Sequence, residues 1–140
     1  MKKLLVFVLT ISLFMTACKK DEIIVTDTTP IVVAPTAKIL LSGTFVKSGN
    51  YSVSGTAKII EDVDGKKYLV MENLKSDSGP DLRVYLSADT GIKVATQILE
   101  DVPGGNSKTA LPPNFDFAKQ NTVLIWCQKF SVLFGNAALK

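Results

Sequence analysis

Val123-Leu124-Ile125-Trp126-Cys127-Gln128-Lys129-Phe130-Ser131-Val132-Leu133-Phe134-Gly135 is the stretch on which the fold turns. It holds the only tryptophan and two of the seven phenylalanines. Taken as one extended segment, it puts Leu124, Trp126, Phe130, Val132 and Phe134 on one side, because strand side chains alternate faces. Val123, Ile125, Cys127 and Lys129 share the other. Lys129 then sits one same-face step from Cys127, ~6.5–7 Å along the strand. A nearby ammonium lowers a thiol's pKa and apolar burial raises it. Cys127 is therefore a candidate reactive thiol and Lys129 its candidate thiolate stabiliser. The competing reading is an inert core cysteine, since cysteine is among the most buried residue types.

β patterning extends outward from this stretch through the rest of the domain. Ile39, Leu41 and Phe45 share one parity and lead to a turn cluster at Lys47-Ser48-Gly49-Asn50. Tyr51, Val53, Gly55, Ala57 and Ile59 alternate with polar residues as in a half-buried strand. Asp64-Gly65 suits a tight hairpin turn, and Lys67 to Leu74 is the return strand. The acidic spacing there lacks the remaining oxygens of a calcium loop. Ser76 to Asp81 is a second turn, and after it Leu82, Val84 and Leu86 point inward. Ala88 to Val102 has no clear period and leaves room for one or two short strands. Pro103 to Asn114, with Gly104-Gly105 and Pro112-Pro113, is expected to be a long irregular loop of the kind that often carries binding. No segment has a helical stripe. The fold class is all-β, an antiparallel sandwich or barrel-like single domain.

Composition removes several function classes. Apolar content of 46% with 21% charged residues is that of a globular chain. Removing Lys2 and Lys3 from 16 basic residues, against 13 acidic ones, brings the net charge from +3 to +1. That is no nucleic-acid surface. The chain has no histidine, so it has no Ser-His-Asp or Cys-His catalytic set, histidine zinc site or axial haem histidine. No phosphate-loop glycine pattern occurs. No metal site and no cofactor is identifiable, and the chain does not read as a classical enzyme. A hydrolase with paired carboxylates finds no defined pair across a cleft.

The amino terminus is expected to direct the chain out of the cytoplasm. Met-Lys-Lys, the apolar run Leu4 to Phe14 and then Met15-Thr16-Ala17-Cys18 follow the grammar of a secretory signal. The run is about half the ~20 residues a membrane-spanning helix needs. Met15-Thr16-Ala17-Cys18 resembles the bacterial lipobox, with methionine in place of the usual leucine. That resemblance implies lipidation of Cys18, which leaves Cys127 without a partner in the chain. Lys19-Lys20-Asp21-Glu22 resembles the export signal of surface lipoproteins of Bacteroidetes, and Asp27-Thr28-Thr29 their short O-glycosylation motif. Residues 1–17 are thus expected to be the signal peptide, 18–38 a lipidated cysteine with an extended linker, and 39–140 the β-domain. Pro30, Pro35 and the β-branched residues between them favour extended chain. From Lys19 to Ala37 such a tether reaches on the order of 60 Å at ~3.3 Å per residue.

Several separated segments in matching order resemble the DM thirteen family of small extracellular domains, which occur alone or beside DOMON domains. The most specific are Gly79-Pro80-Asp81-Leu82-Arg83-Val84-Tyr85-Leu86-Ser87, the pair Leu111-Pro112, and the stretch from Ile125-Trp126-Cys127 through Phe130 to Ala137. Gly43-Thr44-Phe45 and Ser54-Gly55-Thr56 match the opening hairpin. The resemblance spans Leu41 to Leu139. It implies an all-β domain with a characteristic cysteine, here Cys127, and through it electron transfer or another redox role, with no cofactor in the pattern. The expectation is an outer-membrane lipoprotein, periplasmic or surface-exposed. Its partners are the membrane, through the lipid, and an envelope protein or redox partner. The alternative is a binding or adhesion module with a structural cysteine, using the Gly79-Pro80-Asp81 turn and the Pro103 to Asn114 loop.

Overall fold

A computed structural model describes residues 36–140, so the leader, Cys18 and most of the tether lie outside the described residues. The strands are β1 (Lys38–Thr44), β2 (Val46–Lys47), β3 (Val53–Glu61), β4 (Lys67–Ser76), β5 (Leu82–Ser87), β6 (Ala95–Leu99), β7 (Gly105–Ala110), β8 (Thr122–Cys127) and β9 (Val132–Ala138). Every pairing is antiparallel. One sheet has the order β1-β3-β4-β7 and the other β2-β9-β8-β5-β6. With no helix among the described residues, the all-β expectation holds, in its sandwich form.

The core fills the space between the sheets with the inward side chains of both. Val53, Ala57 and Ile59 of β3 and Leu69, Met71 and Leu74 of β4 meet Val84 and Leu86 of β5 and Val123, Ile125 and Cys127 of β8. Phe134 of β9 joins them, and Tyr51 stacks on its ring with centroids 3.8 Å apart. Strand alternation explains most of this set. It does not explain Ile60, Val70 and Leu124, which are out of phase with it and still fully buried. The Asp64-Gly65 turn forms as expected: Gly65 has φ +77° and its N–H donates to the Asp62 carbonyl at 2.9 Å.

Three sequence expectations are corrected here. The stretch from Val123 to Gly135 is a hairpin, not one extended segment: β8 ends at Cys127 and residues 128–131 turn the chain back into β9. The turn and a register slip between Ile125 and Trp126 put Phe134 in the core, while Trp126, partly exposed, lies opposite Arg83 and Leu133 and outside the core cluster. Pro103 to Asn114 is not one irregular loop, because Gly105–Ala110 pairs with β4 as edge strand β7. Ile39 does not share a core face with Leu41: the ladder shifts register between them and leaves Ile39 53% exposed.

The registers also give the sandwich two different ends. Lys38 pairs with Glu61, and Ser87 pairs with Thr122, so the chain enters the domain at the end that carries the 62–66 turn. Val53 pairs with Ser76, and Leu82 pairs with Cys127, at the opposite end. The 77–81 turn and the 128–131 turn both lie there, at the pole far from the point of entry.

Candidate functional site: a cleft over a buried thiol

Cys127 is the last residue of β8, flanked on the ladder by Leu82 of β5 and Val132 of β9. It is unpaired among the described residues, and its exposure is 0%. It belongs to the same core cluster as Val53, Leu74 and Phe134. A thiol so placed behaves as a small hydrophobe and meets no solvent in this conformation. Lys129 does not share its face, because the proposed geometry required an unbroken strand. It lies exposed in the 128–131 turn, next to Phe130, which is 62% exposed, and Ser131, whose φ is +51°. The two residues that spacing put together are therefore separated by the turn: one points into the core, the other belongs to the surface.

The turn that the sequence singled out is better placed. Gly79, Pro80, Asp81 and Leu82 line one wall of a cleft of about 300 Å³, and Asp101, Val102, Pro103 and Gly104 line the other. Buried Leu74 lines it too. Glycine at position 79 has a steric cause: a Cβ there would stand 2.8 Å from Leu82 Cδ2 and 3.1 Å from Phe134 Cζ. The turn therefore lies directly on Leu82, and Leu82 is the cross-strand neighbour of Cys127. Leu82, which lines the cleft, thus stands beside Cys127 in the sheet.

Asp81 ties this turn to the rest of the pole. Its carbonyl accepts the Gln128 N–H at 2.8 Å, so the 77–81 turn is fastened to the hairpin that follows Cys127. Its carboxylate accepts from Arg83 Nε at 2.8 Å and from Nη2 at 3.3 Å. That hydrogen bond holds the Arg83 guanidinium above its ordinary pKa. Asp77 accepts the Ser52 N–H at 2.7 Å, and its own N–H donates to the Ser52 carbonyl, which extends the β3–β4 ladder up to the cleft.

On the outer face of the five-stranded sheet the Tyr85 hydroxyl lies 3.0 Å from amide oxygens of both Gln97 and Gln128. A hydroxyl has one proton to donate, so one of these amides is better turned to present its NH₂ group. Trp126 lies on the same face, its Nε1 buried without a hydrogen-bond partner among the described residues. Among the described residues no cluster of cysteine and carboxylates is arranged to hold a metal ion, and no helix is long and apolar enough to cross a membrane.

Sequence reasoning found one wall of the cleft and missed the other. Asp101 to Gly104 carries no motif, and only the crossing from β6 to β7 brings it against the 77–81 turn. The Pro103-Gly104 pair, placed in a candidate binding loop on composition alone, was the available signal.

The described residues form a two-sheet antiparallel sandwich with an open cleft at one pole and one buried cysteine at that same pole. The family model described as electron transfer DM13 matches residues 44–139, from the end of β1 to the end of the core, and the chain belongs to this family. No curated protein and no solved structure matches it.

Proposed function

We propose that this protein is an extracytoplasmic lipoprotein, anchored through lipid on Cys18, whose electron transfer DM13 domain serves a redox process by meeting its partner at the pole far from the tether. Cys127 is the group that would exchange electrons there, reached through the cleft. The observation that carries this reading is the stacking of the Gly79 turn on Leu82 and of Leu82 beside Cys127. Chemistry at the thiol then requires Leu82 and the 77–81 turn to lift. Opening a surface turn costs less free energy than unfolding the domain, because fewer buried contacts are lost. Lys129, out in the turn, has no part in this mechanism as the sequence first suggested it. Lipid on Cys18 and location in the envelope rest on the leader sequence alone.

The second reading is a binding module that uses the same cleft while Cys127 only packs. The complete burial of the thiol favours it. Iodoacetamide labelling of the native full-length chain over a range of denaturant, with the modified peptide identified by mass, separates the two. Denaturant speeds an opening in proportion to the surface it exposes. The redox reading expects a labelling rate at Cys127 that is nearly flat at low denaturant and measurable well below the unfolding transition. A rate that tracks global unfolding from zero denaturant upward removes the redox role from this thiol and leaves the binding module.

A further inference from the structure

We propose that the cleft between the 77–81 turn and residues 101–104 receives one cationic side chain, a lysine or arginine carried on a protruding segment of a partner protein. This rests on the reading that the far pole is where the domain meets its partner, and it names what the partner must present. Leu74, Leu82 and Val102 contribute apolar lining to the cleft, and Asp77, Asp81 and Asp101 stand beside them. No lysine or arginine lines it. Arg83 neutralises Asp81, but Asp77 and Asp101 form no ion pair among the described residues.

A cleft with both apolar lining and carboxylates, of which Asp101 has no side-chain partner among the described residues and Asp77 only the Ser52 N–H, matches the two parts of a long basic side chain. The methylene stem covers hydrocarbon while the charged head stays at the polar mouth. Its volume of about 300 Å³ lies at the small end of ligand sites, which suits a single side chain. Complementary charge across such a contact sets orientation and speeds encounter more than it adds affinity. Both properties suit a short-lived contact between a tethered domain and its partner. Glu100, exposed beside Asp101, extends the same sign of charge and already acts on Arg83.

The test titrates the ¹⁵N-labelled full-length chain with blocked glycyl-lysyl-glycine, its arginyl counterpart and its glutaminyl counterpart, following backbone amide resonances. The lysyl and arginyl peptides are expected to shift residues 77–82 and 101–104, and the effect weakens as salt is raised from 10 to 150 mM, as screening of about 10 Å at 0.1 M ionic strength demands. The glutaminyl peptide should shift them far less. Asp101→Asn, at an exposed position, should weaken lysyl binding at least threefold with the remaining spectrum unchanged. Equal shifts from the glutaminyl peptide, shifts centred elsewhere on the domain, or undiminished binding by Asp101→Asn overturn the proposal. Failure here with prompt Cys127 labelling removes only the cationic occupant, whereas slow, unfolding-limited labelling with intact peptide binding removes only the redox reading.

Discussion

Replacing Gly79 with alanine tests whether the 77–81 turn is seated on Leu82 as tightly as the geometry requires. The added Cβ would stand 2.8 and 2.9 Å from Leu82 Cδ2 and Cγ, and 3.1 Å from Phe134 Cζ. Contacts below 3.0 Å are not tolerated by real Cβ atoms, so either the turn lifts or Leu82 leaves its rotamer. Phe134 cannot yield freely, because it is buried and stacked on Tyr51. Adding a methyl group to a packed site costs ~1–3 kcal/mol. In a domain of this size each kcal/mol lowers Tm by ~4–8 °C. Thermal unfolding followed by circular dichroism should therefore show a clear drop. Amide exchange at Gln128 should accelerate, because its N–H donates to the carbonyl of Asp81 in the same turn. An alanine variant with unchanged Tm and unchanged Gln128 exchange refutes the close seating, and with it the idea that Leu82 is held over the thiol.

Cys127→Ser puts a hydroxyl where the sulfur lies sealed among hydrocarbon and should cost ~1–3 kcal/mol; an unchanged melting temperature would mean the site is wetter than its burial indicates. Lys129→Ala should alter neither Tm nor the labelling rate of Cys127, and a marked fall in that rate would restore the lysine to the site. Trp126→Ala should cost less than the ~3–5 kcal/mol of a core tryptophan, since the indole lies partly exposed outside the core cluster, and urea unfolding measures it. Asp62, hydrogen-bonded to Lys108, and Asp64, hydrogen-bonded to Lys66, both have pKa values lowered from 3.8. Depressed carboxyl pKa values stabilise the fold above the unfolded value, and that stability is lost as pH falls through the folded value. Melting temperature should therefore decline as the solution is acidified below about pH 4, by a small amount at these exposed sites; a rise there would contradict the pairings.

Where one face of a strand is buried and the other wet, the fold was legible in the residues. Leu82, Val84 and Leu86, the alternation from Val53 to Ile59, and the Asp64-Gly65 turn all lie where their pattern indicates. Edge strand β7 was not legible, because Gly105-Asn106-Ser107-Lys108-Thr109-Ala110 has no apolar side to alternate. Its strand character comes from backbone pairing to β4, a tertiary contact. The 128–131 turn was hidden for the opposite reason. Gln128-Lys129-Phe130-Ser131 contains neither glycine nor proline, and Ser131 adopts the left-handed conformation that usually marks a turn by a glycine or asparagine. Missing that turn carried Lys129 onto the face of Cys127 and gave Trp126 the face of Phe134. At the site, Gly79-Pro80-Asp81 was recognisable as a turn, while the wall from Asp101 to Gly104 depended on how two sheets meet.

If Leu82 is the barrier between Cys127 and the cleft, one comparison measures it directly: the iodoacetamide labelling rate of Cys127 in the native chain and in Leu82→Ala, without denaturant, with global stability measured alongside. Truncating the barrier should speed labelling by more than the loss of global stability accounts for, because the cleft then opens onto the sulfur. A rate that changes only as far as global stability changes would contradict the account, and would leave Cys127 as a packing residue in a domain that acts through its surface.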